Sequence, residues 1–317
     1  MTSAAILVHG VPTTARLWDG VIARLDGSRR VIALDLPGFA EPPPPGWRGV
    51  KEEYVEWLIG QVETVAAADG PVHLVGHDWG GLLACRAASL RPELLRSFTF
   101  GNGPIDEDWP LHGAWATWNI PGEGERWMDC LDVDAMAQGL LSAGMTPEVA
   151  AAISWRNGWN RAVTLSLYRS ATNVGREWAA DLRKIVVPSL AIWGTQDLVV
   201  PIEFGRRMAA RMGAEVVGIA AGHFWPAQLP EVAARELQRH WARAESSPYT
   251  ILTQPRLLPA AGPPVTGERG HCPAVSCSVS RVRAVSRDGP YQVRLRPSTG
   301  ATRCRGNASG PSAGLKE

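Results

Sequence analysis

The sequence has no long hydrophobic run and almost no net charge, and we expect no secretory signal. None of its apolar stretches reaches the ~18 to 20 residues that a membrane span needs. The formal net charge is +1, which disfavours an obligate nucleic-acid binder. Residues 1–5 lack the basic patch and apolar stretch of a secretory signal. We therefore expect a globular protein without a membrane span and without an obligate nucleic-acid partner.

Cysteine is also scarce, with five residues in 317. An odd number of cysteines without secretory context is typical of reduced thiols, so we expect a cytoplasmic location. The spacing of His271, Cys272 and Cys277 matches no standard zinc pattern. The sequence thus predicts neither a metal nor a cofactor.

The near-zero charge is a cancellation between two parts of the chain. Residues 246–317 are rich in Ser, Pro, Gly and Arg and carry a net charge of +7, which leaves −6 for residues 1–245. This composition predicts a disordered C-terminal extension over residues 246–317. The alternating pattern of residues 275–285 and 291–296 leaves a hairpin open as the competing interpretation.

Short apolar runs alternate with helix-period segments through the first 245 residues. This alternation predicts an α/β fold with a mostly parallel sheet flanked by helices. The chemistry of such folds lies at the carboxyl ends of the strands. The predicted strands cover residues 4–8, 30–35, 72–76, 97–101, 185–193 and 215–219.

Residues 101–185 interrupt the alternation, because they are helical or loop-like and contain no convincing strand. Seven of the fourteen tryptophans lie there. We expect an inserted helical cap over residues 103–182, with an apolar pocket beneath it, on a core formed by residues 1–102 and 183–245.

A nucleophile elbow is predicted where Gly76-His77-Asp78-Trp79-Gly80 joins a strand to a helix. Glycines flank the central residue in such turns because the sharp bend leaves no room for side chains. Asp78 stands at the centre, where many hydrolases have serine. The backbone N–H of Trp79 begins the following helix and is a candidate oxyanion donor.

Three further strand ends carry candidate groups. Asp197 follows the run over residues 185–193, and His223 follows the last predicted strand. The order nucleophile, acid, histidine is the α/β-hydrolase order. Val11, in His9-Gly10-Val11-Pro12, can supply the second oxyanion N–H, whereas we expect His9 to be a structural hydrogen-bonding residue.

These motifs, together with Asp35-Leu36-Pro37-Gly38-Phe39, resemble the epoxide hydrolase family of the α/β-hydrolase superfamily and the related haloalkane dehalogenases. The resemblance covers about residues 4–244. It implies that Asp78 opens an epoxide to an alkyl ester, which water activated by His223 cleaves to a vicinal diol. Asp197 would orient His223.

The same resemblance implies the proton donor and the pocket. Ser166-Leu167-Tyr168-Arg169 is similar to the family element whose tyrosine protonates the epoxide oxygen. The second family tyrosine is absent, with Trp115 or Trp118 in its neighbourhood. The expected substrate is a small apolar epoxide or halogenated compound, together with water. The pocket residues that we expect are Trp115, Trp118, Phe39, Phe224 and Trp225.

Family members usually have a β-hairpin before the strand that ends in His-Gly, and this sequence shows none. The run over residues 30–35 then becomes an apolar edge strand, and we expect either a homodimer paired along it or cover by another segment. Two other functions stay open. They are a haloalkane dehalogenase that uses the same Asp78, and a non-catalytic ligand-binding protein on the hydrolase fold.

Overall fold

The computed structural model describes residues 2–109, 114–152 and 154–246. The predictions for the C-terminal extension, including His271, Cys272 and Cys277, concern residues outside these ranges. None of the helices within the ranges is long and apolar enough to cross a membrane.

Within the described residues, six strands, numbered β1 to β6 along the chain, form one sheet in the order β2-β1-β3-β4-β5-β6, and every neighbouring pair is parallel. The predicted α/β fold with a mostly parallel sheet is confirmed. The strand predicted over residues 185–193 begins only at Ser189, because Pro188 has no N–H for the sheet. The strands are β1 Ala5–Val8, β2 Val31–Leu34, β3 Val72–His77, β4 Leu95–Gly101, β5 Ser189–Gly194 and β6 Glu215–Ile219.

Helices cover both faces of the sheet. Alternate residues of β1 show the two layers, since Ile6 and Val8 belong to one buried apolar cluster and Ala5 and Leu7 to another. The first helix is short, because a 3₁₀ turn over Ala15–Trp18 precedes it and Gly20 lies within it. The helices are α1 Asp19–Ile22, α2 Lys51–Asp69, α3 Trp79–Leu90, α4 Ala114–Trp118, α5 Glu123–Asp129, α6 Val133–Ser142, α7 Pro147–Ala151, α8 Gly158–Ser170, α9 Val174–Trp178, α10 Ile202–Met212, α11 Trp225–Gln228 and α12 Pro230–Ser246.

The segment between β4 and β5 is a helical insertion. Its described residues form α4 to α9 and two 3₁₀ turns, with no strand among them. Trp115 of α4 and Tyr168 of α8 both contact the Trp79 ring at the start of α3. The insertion therefore packs against the predicted elbow. Its limits at residues 103 and 182 and its action as a cap stay predictions.

The strand β2 lies at one edge of the sheet, as the sequence predicts. Its neighbour is β1, and all four of its residues are partly exposed. Pairing of this edge with a second copy of the chain stays a prediction.

Glu245 ties the end of α12 to the beginning of the sheet. Its carboxylate accepts hydrogen bonds from the Ser3 N–H at 3.0 Å, from Arg29 at 2.9 Å and from His73 Nε2 at 3.2 Å. A carboxylate only accepts, so His73 Nε2 carries the proton and Nδ1 accepts from the Ser97 hydroxyl at 2.7 Å. His73 and Ser97 are fully buried, which makes this chain of hydrogen bonds structural.

We expect Glu245→Gln to lower the free energy of unfolding by about 2 to 3 kcal/mol, because Arg29 is left buried without its counter-charge. The partners of Glu245 outweigh its partial burial and lower its carboxyl pKa from 4.5 to about 2. A lowered folded-state pKa gives stability that is complete above pH 4.5 and is lost as the pH falls through the folded value. Urea unfolding of both proteins should therefore show a difference that shrinks in acid.

Glu231→Gln on the same helix is the matched control. Its side chain is 62% exposed in the pair with Arg24, so the substitution should change stability by less than about 1 kcal/mol. Equal stability losses in the two variants would contradict the role given to Glu245.

Candidate active site

Asp78 occupies a strained turn between β3 and α3. Its backbone angles are φ 51° and ψ −123°, a combination that non-glycine residues rarely adopt. A Cβ on Gly76 would collide with the Gly80 carbonyl, and a Cβ on Gly80 would collide with the Val8 and His9 carbonyls. The two flanking glycines therefore allow the turn that places Asp78 at the N-terminus of α3.

Two backbone N–H groups donate to the Asp78 carboxylate. The Val11 N–H donates to Oδ2 at 2.8 Å, and the Trp79 backbone N–H also donates to the Asp78 side chain. Gly10 permits the approach, because a Cβ there would collide with the Asp78 carboxylate. The two oxyanion donors expected from the sequence thus lie together at Asp78.

His9 holds the loop that carries Val11. Its Nδ1–H donates to the Gly10 carbonyl at 2.8 Å, and its Nε2 accepts from the Leu36 N–H at 3.0 Å. Burial lowers the pKa of His9 to about 4. A neutral ring with both nitrogens engaged is the structural hydrogen-bonding residue that the sequence predicts.

His223 lies between the two carboxylates. Its Nδ1–H donates to Asp197 Oδ2 at 2.8 Å. Its Nε2 lies 3.8 Å from Asp78 Oδ1, which is too long for a direct hydrogen bond. Because Nδ1 carries the one proton of the neutral ring, Nε2 is unprotonated. It is able to accept a proton from a small molecule that lies between it and Asp78.

Asp197 is held by backbone and by a residue that the sequence analysis missed. Its Oδ1 accepts from the N–H groups of Val199 and Val200 at 2.7 and 3.0 Å. The amide of Asn102 donates to Oδ2. Asn102 follows β4 and is flanked by two glycines, so a search of every strand end for polar residues would have found it.

The charges of the three residues are strongly coupled. Burial disfavours the charged form of His223, but Asp197 and Asp78 outweigh it and raise the His223 pKa. Burial raises the pKa of Asp78. The Asp197 pKa is lowered, because its hydrogen bonds and the nearby His223 outweigh the effect of burial. The pair of Asp197 and His223 is therefore suited to stabilise an imidazolium.

Three tryptophans surround Tyr168 and form what we call the aromatic cage. The Tyr168 ring centroid lies 4.9 Å from Trp79, 5.2 Å from Trp115 and 4.8 Å from Trp118. All three contacts are edge-to-face. Burial raises the Tyr168 pKa well above its usual value, and the Asp78 charge raises it further. Tyr168 therefore stays protonated, and the Asp78 charge disfavours ionisation of its hydroxyl group.

The other expected pocket residues are dispersed. The Phe224 ring lies 4.9 Å from the His223 ring. Phe39 is buried and packs on His9 at 5.6 Å. Trp225 is fully buried and packs on Trp18 at 5.9 Å. The structure brings Trp115 and Trp118 together at the site, and it places Phe39 and Trp225 in apolar packing.

Comparison with known proteins identifies the class to which this fold and site belong. A model of the alpha/beta hydrolase family matches residues 5–236. The chain therefore belongs to the alpha/beta hydrolase family.

Two curated relatives are similar to parts of this chain. The chain is 26% identical over 205 residues to the dihydrolipoyllysine-residue acetyltransferase component of the acetoin cleaving system of Pseudomonas putida, covering 64% of this chain and 54% of the relative. It is 31% identical over 102 residues to epoxide hydrolase 4 of Mus musculus, covering 31% of this chain and 28% of the relative. The chain thus spans about half or less of these relatives.

The structural similarity extends further along the chain. A haloalkane dehalogenase of Bradyrhizobium elkani superposes with a TM-score of 0.64 at 23% identity, covering 77% of this chain and 91% of that one. At this identity the likeness establishes the fold alone.

Proposed function

We propose that this hydrolase is an epoxide hydrolase that works through a covalent ester on Asp78. The observation that carries the proposal is that the two oxygens of the Asp78 carboxylate have different surroundings. Oδ2 accepts from Val11, whereas Oδ1 faces His223 Nε2 across 3.8 Å. One oxygen is fixed as the future ester carbonyl, and the other is left as the nucleophile.

In the first step Asp78 Oδ1 attacks an epoxide carbon and the carbon–oxygen bond of the ring breaks. Tyr168 donates its hydroxyl proton to the departing oxygen, which becomes the first hydroxyl of the product. Asp78 becomes a neutral ester as this happens. The Asp78 charge that opposes ionisation of Tyr168 is therefore removed while Tyr168 gives up its proton.

In the second step His223 Nε2 takes a proton from water, and the hydroxide adds to the ester carbonyl carbon. The charge that develops on Oδ2 is held by the N–H groups of Val11 and Trp79, and Asp197 stabilises the imidazolium. The acyl carbon–oxygen bond then breaks. The alkoxide takes the His223 proton, the tyrosinate takes the second proton of the water, and a vicinal diol leaves.

Heavy-oxygen water tests this proposal in a single turnover with enzyme in excess of epoxide. The Asp78 carboxylate should acquire the label, because the water oxygen stays on the acyl carbon and the original Oδ1 leaves in the diol. Label in the first diol and none in the Asp78 peptide would mean direct attack of water on the epoxide. No diol and no label across a panel of epoxides would favour a ligand-binding protein.

Haloalkane dehalogenation is the second candidate, because Trp79 follows the nucleophile and its ring lines the site beside Tyr168. The same Asp78 ester would form, with a halide as the leaving group. Tyr168 favours the epoxide, because a departing halide needs no proton and a departing alkoxide does. Halide release from haloalkanes, and quenching of tryptophan fluorescence by bromide, would support the dehalogenase.

We expect His223 to titrate at two different pH values in the free enzyme and in the ester. In the free enzyme Asp197 and Asp78 raise the His223 pKa above 6.5. The neutral form of His223, which is the form that acts as a base, is therefore lost as the pH falls through a midpoint above 6.5. Ester formation moves the negative charge from Asp78, whose Oδ1 lies 3.8 Å from His223 Nε2, to the oxygen of Tyr168 in the insertion. Ester hydrolysis should therefore keep its rate to a lower pH than the free-enzyme titration suggests.

The free-enzyme midpoint is measured by NMR of the His223 ring, and the ester midpoint by rapid-quench hydrolysis across pH. Asp197→Asn should lower both midpoints, because it removes a negative charge from the imidazolium. Identical midpoints in the free enzyme and the ester would contradict the assignment of Asp78 as the group that is alkylated.

A further inference from the structure

His77 links the general base to the nucleophile through the backbone. Its Nε2 lies 2.7 Å from the His223 carbonyl oxygen. A carbonyl only accepts, so His77 Nε2 carries the proton and donates it. His77 is also the residue immediately before Asp78 and the last residue of β3. One side chain therefore ties the strand that ends at the nucleophile to the loop that carries the base.

We propose that His77 is a positioning residue that sets the distance between His223 and Asp78. This inference rests on the proposed two-step mechanism. The His223 ring is held by Asp197 at Nδ1, which fixes its orientation but leaves the backbone of residues 221–224 to be held separately. His77 supplies that second restraint from the rigid end of a buried strand.

The surroundings of His77 suit a group that positions and does not titrate. Its side chain is fully buried, and its ring packs edge-to-face on His223 at 5.2 Å and on Trp225 at 5.8 Å. Its Nδ1 has no partner among the described residues. Burial, with the neighbouring His223, lowers the His77 pKa to about 3. Of these two adjacent imidazoles, only His223 is available to carry the catalytic proton.

The distance that His77 would control, between His223 and Asp78, is short, and small changes in it are expected to affect the rate of ester hydrolysis. His223 Nε2 and Asp78 Oδ1 are 3.8 Å apart. A single water molecule that is hydrogen-bonded to Nε2 fits at this separation and lies close to the carboxyl carbon of Asp78, which it attacks in the second step. A misplacement of about 1 Å can cost about 100-fold in rate. Because His223 acts only in the second step, loss of His77 should slow ester hydrolysis and spare ester formation.

The test compares two substitutions of His77 by rapid quench and intact-protein mass spectrometry. His77→Leu removes the N–H donor and should slow ester hydrolysis about 10- to 100-fold, so that alkylated enzyme accumulates during turnover. Ester formation should stay within about 3-fold of the parent enzyme. His77→Gln keeps an N–H donor on a side chain of similar reach and should recover most of the lost hydrolysis rate.

His240→Leu is the matched control. His240 is a second buried histidine with a pKa lowered to about 4 by burial, and it lies on α12, outside the site. Its substitution should leave both steps within about 3-fold. The amount of ester formed per protein counts the folded fraction in every variant, and His77→Met replaces the leucine variant if that one does not fold.

The possible failures are distinguishable. If His77→Leu slows both steps equally, or neither, or if His77→Gln is as slow as His77→Leu, His77 is not the positioning residue and the proposed function stands. If the parent enzyme itself forms no ester with any epoxide, the proposed function fails, and this inference fails with it.

Discussion

Asp78→Asn is expected to lose at least about 10 000-fold in turnover of an epoxide. The reason lies in the two N–H groups of Val11 and Trp79, which need an acceptor. The asparagine must turn its amide oxygen toward them, and this puts the NH₂ group in the place of Oδ1. A neutral amide nitrogen is not a nucleophile, so the epoxide is bound and not opened.

The measurement is diol formation by freshly prepared protein, with mass spectrometry to show that residue 78 has not deamidated. Asp35→Asn is the matched control, because Asp35 also follows a strand, accepts from the Ala15 N–H and is 45% exposed. It should keep its activity. Full turnover by verified Asp78→Asn protein would overturn the mechanism.

The elements that position Asp78 were predictable because local patterns determine them. Burial on the two faces of a parallel sheet causes apolar runs to alternate with helix-period segments. This alternation predicts each of the six strands in the described sheet. The elbow is local only in part. A Cβ on Gly76 would collide with the Gly80 carbonyl inside the turn, whereas a Cβ on Gly80 would collide with the Val8 and His9 carbonyls of a neighbouring strand end. Both glycines nevertheless stand at a fixed spacing from Asp78, and that spacing is visible in the sequence.

Contacts between distant parts of the chain were less predictable. The amide of Asn102 reaches Asp197 from a different strand, and the His77 ring reaches the backbone of His223. Neither contact has a spacing rule, because each depends on how β3, β4, β5 and β6 are ordered in the sheet. A polar residue at a strand end indicates a candidate, and the sheet order decides its partner.

Side-chain direction limited the prediction of the pocket. Phe39 and Trp225 stand beside motif residues in the sequence, yet both are buried in apolar packing. Trp115 and Trp118 lie on one short helix and both reach Tyr168. Proximity in sequence to a catalytic motif does not determine which way a large aromatic ring turns, because the packing of the whole insertion does.

His223→Gln is the second substitution with a very large expected effect, and it should separate the two steps. In the proposed mechanism, ester formation needs Asp78 Oδ1 and the Tyr168 proton, and it does not need a base. Ester hydrolysis needs a group that takes a proton from water, and glutamine cannot. We expect hydrolysis to slow by about 100- to 10 000-fold, while the first step proceeds.

The expected observation is a stable adduct of one epoxide per protein, found by mass spectrometry on the peptide that contains Asp78, with little free diol. The double variant Asp78→Asn with His223→Gln is the control, and it should form no adduct. Continued multiple turnover by His223→Gln would mean that another group activates the water. Absence of both adduct and turnover would mean that His223 is needed before the ester forms, which the 3.8 Å separation between His223 Nε2 and Asp78 Oδ1 argues against.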